Sequence, residues 1–372
     1  MRIFYAADHE PFPGNHLWHN NLYLPLVDLG HDVLPFDFNL TPYFFHADPS
    51  LPHHREFIDT NRCKLEETLL AQIKRAHRDR PIDVFFSYFY NAFCRPDIIR
   101  EIRAMGICSV NWYCNGSFQF HLVDQIAPAY DYCLVPEKFR LEDYKRVGAN
   151  PIYCQEAANP NIYKSYSLPH EFDITFVGQR YGDRPNYIRY LLDAGLNVRV
   201  WGPGWRPASV LKTSGGFSHH WKRLASREGW TALWRRLHPS VSIPAEICGP
   251  PLGDDELIKM YSRSKISLGF SSCGNTHQNG NRILQVRLRD FEAPMSGAFY
   301  MVEHMDELLE FFTPGKEIVC YRNQSDLADK AKYYLQHGDE RENIRREGQR
   351  RALNEHTWQK RLDDAFRKMG LQ

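Results

Sequence analysis

Arg282, Arg287, Arg289 and Glu292 follow an apolar run at 266–270 and a stretch rich in Ser, Cys, Gly and Asn. Segment 266–312 reads as a strand, a small-residue loop and a helix carrying the three arginines. Ser296-Gly297 and a second apolar run at 298–302 follow. A strand, a loop and a helix start in that order build an anion site, because free backbone N–H groups and the helix dipole both point at the loop. Glu292 sits just before the Ser-Gly turn, with arginines one and two helical turns behind it. Cations and amides for phosphates, with a carboxylate for sugar hydroxyls, suit a nucleoside diphosphate.

A second candidate loop, Gly178-Gln179-Arg180-Tyr181-Gly182-Asp183-Arg184, follows another apolar run, and its arginines are placed to clamp a diphosphate. The competing role for these arginines is a surface ion pair to Asp183. His277, Asn279, Asn281 and Arg282 are candidates for phosphate or sugar contacts. Near the N-terminus, Asp8, His9 and His16 flank the loop after the first apolar run. A histidine there could take a proton from an acceptor hydroxyl, so His16 and Asp8 are the catalytic candidates. With 17 histidines in the chain, most must be structural or solvated. Asn115 and Ser117, past the strand ending at Tyr113, are candidates for acceptor contacts. P-loop, HExxH, GxSxG and EF-hand patterns are missing from the sequence, which withdraws support from P-loop hydrolysis, zincin and serine-hydrolase chemistry.

These residues need a scaffold that brings loops to one edge. Apolar runs at 2–7 and 31–36 flank a helical pattern over 16–29 that Gly30 stops, giving a βαβ unit with parallel strands. The alternation continues through a helix at 65–78, a strand at 82–88, a helix at 96–105, strands at 107–113 and 132–135, a helix at 138–147 and a strand at 149–154. Residues 41–62 show no clean period and read as a long loop or lid-like insertion. A polar passage around 159–171 marks a domain boundary. Beyond it the alternation restarts with strands at 173–178, 197–201, 245–249 and 266–270 and helices at 186–194 and 256–263. Three charged amphipathic helices, at 327–336, 341–354 and 359–369, close the chain. The expected fold class is α/β, with two doubly wound parallel sheets that bind ligands at the carboxyl ends of their strands.

The 372 residues allow two or three domains, and a formal charge of +1 gives no global basic field for nucleic acid. Nine scattered cysteines without a CxxC pair signal neither a zinc ribbon nor a disulfide framework, as in a reducing cytoplasm. No signal-peptide pattern opens the chain, and no stretch approaches the roughly 18 apolar residues of a spanning helix. Charge concentrates in an insertion at 205–244, where Arg206, Lys212, Lys222, Arg223, Arg227, Arg235 and Arg236 face the single acid Glu228. Trp205, Trp221, Trp230 and Trp234 lie in the same insertion. It reads as a helical hairpin covering the second domain, as a patch for an anionic acceptor or membrane surface, with Arg235 and Arg236 as acceptor contacts, or as an oligomer contact.

Several motifs in order resemble one known family. They are Phe176-Val177-Gly178 with Arg184, Val200-Trp201-Gly202-Pro203-Gly204-Trp205, residues 257–268, Arg289-x-Phe291-Glu292 with Ser296-Gly297, Pro314-Gly315-Lys316-Glu317 with Tyr321-Arg322, and Glu355-His356-Thr357-Trp358. From about Val110 to the C-terminus the chain is similar to the CgeB-like (spore-maturation-type) glycosyltransferases of the GT-B fold. The resemblance implies an acceptor domain at 1–168, a nucleotide-sugar domain at 169–355 and a last helix at 356–372 that crosses back, with the two Rossmann-like domains facing a cleft. Glu292 matches a glutamate that contacts the donor ribose in the broader group; the first glutamate of that group's paired motif falls near Leu284. Gly14-Asn15-His16 and Leu29-Gly30-His31-Asp32-Val33 are similar to the start of many GT-B enzymes, some of which use a histidine at about this place as base. Where CgeB-like chains often carry acids after the strand ending at Tyr113, this chain has Cys114-Asn115, so no essential metal is expected.

The expected activity is metal-independent transfer of a sugar, hexosyl in type, from a nucleoside-diphosphate donor to a hydroxyl acceptor, glycan, lipid-linked or other. No cofactor beyond the donor substrate is expected. The donor set is Gly178, Arg180, Arg184, His277, Asn279, Asn281, Arg282, Arg289 and Glu292. The expected location is cytoplasmic, with peripheral membrane or polyanion contact through 205–244. The alternatives are a non-catalytic nucleotide-sugar or polyanion-binding protein of the same fold and a nucleic-acid-modifying transferase, though a nucleic-acid partner is not favoured on a neutral chain.

Overall fold

The computed structural model describes residues 1–11, 13–206 and 241–371. Most of the basic insertion, with Arg235 and Arg236 and with Trp221, Trp230 and Trp234, lies outside the described residues. The chain divides into two compact units: Met1–Lys164 with Gln285–Met295 and Arg350–Gln372, and Ser165–Leu284 with Ser296–Gln349.

The first unit holds β1 (Arg2–Ala6), β2 (Asp32–Pro35), β3 (Val84–Ser87), β4 (Cys108–Trp112), β5 (Tyr132–Val135) and β6 (Pro151–Tyr153). They form one sheet in the order β2-β1-β3-β4-β5-β6, with every pair parallel. Strand β3 is a continuous buried run, as a strand covered on both faces must be. The order reverses beside β1, between β1 and β3, which makes that place the topological switch point of the sheet. The C-terminal helix Trp358–Lys368 belongs to this unit and buries Leu362, Ala365 and Phe366 in its core.

Two expectations are corrected here. Residues 41–62 are not a loop, because Thr41–Phe44 and Pro52–Asp79 are helices and the second absorbs the helix expected at 65–78. Ile58, Leu65, Leu69 and Ile73 form its buried stripe, while polar His53, Arg55 and Glu56 at its exposed start mask the period. The helix expected across Arg282, Arg287 and Arg289 is also absent. Gly280 (φ 71°) ends a short 3-10 turn at Thr276–Asn279, Leu284 bridges to Ser272, and helix Arg289–Met295 starts only where Asp290 Oδ2 accepts from Arg287 N at 2.8 Å.

The second unit holds β7 (Phe172–Val177), β8 (Val198–Trp201), β9 (Cys248–Gly249), β10 (Ser264–Leu268), β11 (Tyr300–Glu303) and β12 (Val319–Tyr321). Their order is β12-β11-β10-β7-β8-β9, again all parallel, so the switch point lies between β7 and β10. No helix among the described residues is long and apolar enough to cross a membrane.

Candidate active site

In the second unit the loops after β7 and β10 meet at the switch point. Ser272 Oγ donates to Asp183 Oδ1 at 2.9 Å, and Gly182 N donates to Asn275 Oδ1 at 3.3 Å. Gly182 has φ 62°, and a Cβ there would lie 2.8 Å from the Gly274 carbonyl, so the close approach of the two loops requires glycine. Gly178 lies under the loop after β8: its carbonyl accepts from Trp205 Nε1 at 2.7 Å, and a Cβ on Gly202 would meet the same carbonyl at 2.3 Å.

The predicted cations of this unit have protein partners. Arg184 is buried, donates to the Gln179 carbonyl at 2.9 Å and to Tyr181 Oη at 2.6 Å, and lies over the Tyr181 ring. Arg180 donates to the Val241 carbonyl at 2.7 Å and lies near the Trp205 ring. Arg282 donates to Asp183 through Nε and Nη2 and to Glu303 through Nη1. Burial pushes the Glu303 carboxyl up, and the Arg282 guanidinium opposes that rise. His277 and Asn279 lie in the 3-10 turn after β10, and Asn281 is exposed. From the insertion, Trp205 is buried and Arg206 donates to the Cys248 carbonyl at 2.9 Å.

In the first unit, Asp8 stands two residues past β1 at the switch point. An open pocket of about 520 Å³ is lined by Asp8, His9, Glu10, His16, His19 and residues 38–41. Asp8 Oδ2 accepts from His19 Nδ1 at 3.0 Å, and Asp8 Oδ1 lies 2.9 Å from Tyr5 Oη. His9 stacks on Phe44 with ring centroids 3.6 Å apart, and burial lowers its pKa to about 4. Asn115 donates to Tyr88 Oη at 3.0 Å.

Arg289 and Glu292 both lie in helix Arg289–Met295 of the first unit, with Glu292 buried. Sequence reasoning missed two acids of the same unit, Glu156 near Glu292 and Glu137 near Glu156. Glu137 follows β5 and accepts from Ser117 N at 3.2 Å and Ser117 Oγ at 3.4 Å. Burial pushes its carboxyl up to about 7 against the pull of those bonds. Glu156 follows β6, and burial raises it well above the usual range. Glu137, Glu292 and Asp290 raise it further, and Arg287 opposes them. The signal for both is a lone acid just past the end of a parallel strand. His19 was missed as well, because its partner lies eleven residues earlier across a Pro- and Gly-containing loop. Among the described residues, no group of three or more His, Cys, Asp or Glu is arranged to hold a metal ion.

Residues 184–367 match the family described as glycosyl transferase-like. Among solved structures, the chain is similar to sucrose-phosphate synthase from Thermosynechococcus elongatus at 13% identity and TM-score 0.62, covering 99% of this chain and 98% of that one. It is also similar to HepE from Anabaena in complex with UDP-glucose, at 10% identity, TM-score 0.56 and coverage of 100% and 99%. A third is AviGT4, a glycosyltransferase involved in avilamycin A biosynthesis, at 12% identity, TM-score 0.54 and coverage of 99% and 96%. No curated protein matches in sequence. The chain therefore has the GT-B fold of glycosyltransferases, with its residues 184–367 matching the glycosyl transferase-like family.

Proposed function

We propose that the protein is a glycosyltransferase of the CgeB-like kind that moves a hexosyl group from a nucleoside-diphosphate sugar to a hydroxyl acceptor without a metal ion. The observation that carries this reading is the bridged pair of loops at the second unit's switch point, Gly182 against Gly274 and Asp183 against Ser272, where a doubly wound sheet takes its nucleotide. The match of residues 184–367 supports glycosyl transfer, and the UDP-glucose complex of a neighbour with this fold supports a uridine donor.

In this reading Arg180, His277, Asn279 and Asn281 meet the donor's phosphates and sugar. Arg184 and Arg282 act by holding the loop after β7 in shape, since both bond groups of that loop, Gln179 and Tyr181 for Arg184 and Asp183 for Arg282. Glu292 keeps the donor-ribose role given by the resemblance, and Arg289 its place in the donor set read from the sequence. The acceptor is a glycan or another hydroxyl compound bound by the first unit, and the work is done in the cytoplasm or at a membrane surface. Preorganised cations near the leaving diphosphate lower the barrier as charge develops on it. Thermal shift with UDP, GDP, ADP and dTDP, followed by nucleotide release from the matching sugars, tests the reading. A single stabilising nucleotide and turnover of its sugar are expected; binding and turnover of none would refute it.

A further inference from the structure

We propose that the turn between helices Thr41–Phe44 and Pro52–Asp79 is a proton-operated latch: neutral His54 holds it shut, and acid opens it and loosens the pocket wall that it anchors. The inference goes beyond the glycosyltransferase reading, does not rest on it, and concerns the first unit alone.

The latch is a hydrogen bond whose direction excludes a second ring proton. Asp48 N donates to His54 Nδ1 at 3.2 Å across the turn. A backbone N–H only donates, so Nδ1 is the bare nitrogen and the ring proton sits on Nε2. An imidazolium carries protons on both nitrogens, and the one on Nδ1 would point at the Asp48 N–H. His54 therefore gives up this bond when it takes a proton. His46 differs: its Nδ1 donates to the Pro42 carbonyl at 2.6 Å, a bond that protonation leaves in place.

The surroundings of His54 act in the same direction. It is the third residue of helix Pro52–Asp79, whose first turn holds no acid and whose N-cap Leu51 makes no side-chain cap. A cation there faces the positive end of the helix dipole. The His53 ring stands 4.4 Å from the His54 ring and the His46 ring 5.3 Å from it. Arg55 of the same turn donates to the Pro49 carbonyl through Nε and Nη2, both at 3.2 Å. His121, in the 3-10 turn Phe120–Leu122, acts on Asp48. Asp48 is the acid of this set, and its Oδ1 accepts from Ser50 N at 2.9 Å. Burial lowers the His54 pKa below 6.5, His53 and His46 lower it further, and the Asp48 charge opposes them. The latch is thus full above 6.5 and is lost as pH falls through the lower, folded value.

What the turn anchors is one side of the open pocket. His46 stacks on Phe57 with ring centroids 4.2 Å apart, which ties the turn to the long helix. At the other end of Thr41–Phe44, Thr41 Oγ1 accepts from Glu10 N at 3.1 Å and Phe44 stacks on His9. Thr41, Glu10 and His9 all line the pocket. Burial keeps His9 neutral down to about 4, so acid releases the turn first and the Phe44 end only near that value.

Hydrogen exchange read by mass spectrometry, with rates corrected for the intrinsic effect of pH, tests the proposal at the backbone. Wild type, H54N and H53N are compared at pH 7.5 and 5.5. In wild type, opening of residues 45–54 is expected to rise on the order of tenfold at the lower pH, as one proton predicts, while 58–73 stay protected. In H54N the amide oxygen replaces Nδ1 as acceptor and gains no proton, so the rise should vanish. H53N removes a neighbouring charge and leaves the bond, so it should follow wild type. Equal protection of 45–54 in wild type at both pH values, the same rise in H54N, or a rise that takes 58–73 with it would each overturn the latch. Should H54N not fold, a wild-type series from pH 7.5 to 5 decides: a one-proton slope confined to 45–54 supports the latch and a flat series overturns it.

Discussion

Arg282 grips Asp183 with two nitrogens, Nε at 3.1 Å and Nη2 at 2.8 Å, both on Oδ2, while its third nitrogen reaches Glu303. One cation thereby links the loop after β7, the loop after β10 and the end of β11. The Glu303 side chain is only 3% exposed, so its charge depends on that guanidinium.

Removal of the cation leaves a buried carboxylate without its ion-pair partner. R282A is expected to destabilise the protein by about 3 kcal/mol, the scale for breaking a buried ion pair. Adding E303Q to R282A should recover part of the loss, because the amide carries no charge to desolvate. Urea unfolding of the single and double variants checks this; full stability in R282A would show that the network is not structural.

Gly182 joins the two loops through a left-handed backbone and a contact that no side chain fits. G182A is expected to cost about 1 kcal/mol or more of stability and to weaken nucleotide binding, since the added methyl must push against the Gly274 carbonyl. Calorimetric titration with UDP should show lower affinity; wild-type affinity in G182A would place the nucleotide elsewhere.

Much of this arrangement was legible in the sequence, and the reason is local. Strands such as Arg2–Ala6 and Val84–Ser87 are short apolar runs between polar loops, and the alternation of strand and helix dictates parallel sheets. Arg180 and Arg184 were legible as loop cations after a strand. Their fates were not, because side-chain partners are set by tertiary approach: Asp183 lies 99 residues from Arg282. Glu137 and Glu156 stayed hidden for a related reason. Nothing in their neighbours along the chain announces that both will be buried, or that Glu156 will stand near Glu137, Glu292 and Asp290.

Burial of acids and of a base in the first unit gives opposite slopes of stability with pH. Glu137 is raised from 4.5 to about 7, so the folded state binds more protons than the unfolded one between those values. Its contribution is full below the unfolded value and is lost as pH rises through about 7, on the order of 3 kcal/mol in all. His9 is lowered from 6.5 to about 4, so its contribution is present above 6.5 and is lost as pH falls through about 4. Melting curves from pH 4 to 8 should show a shallower fall toward high pH in E137Q, with Glu156 supplying the rest, and a shallower fall toward low pH in H9F. Unchanged slopes in either variant would contradict the assigned burial effect.

Helix Pro52–Asp79 gives a last test, because its buried stripe is an i, i+7, i+11, i+15 series: Ile58, Leu65, Leu69 and Ile73. Leu69 is fully buried in the first core, so L69A opens a cavity and should cost 2–5 kcal/mol, about the usual range for such truncations. E67A, two residues earlier on the exposed face, should stay within about 0.5 kcal/mol of wild type. If residues 52–64 were instead a loose lid over the pocket, proteases would cut there in the native protein and I58A would be silent. A helix packed on the sheet predicts resistance to cleavage and a loss in I58A comparable to that in L69A, read by limited proteolysis and by urea unfolding.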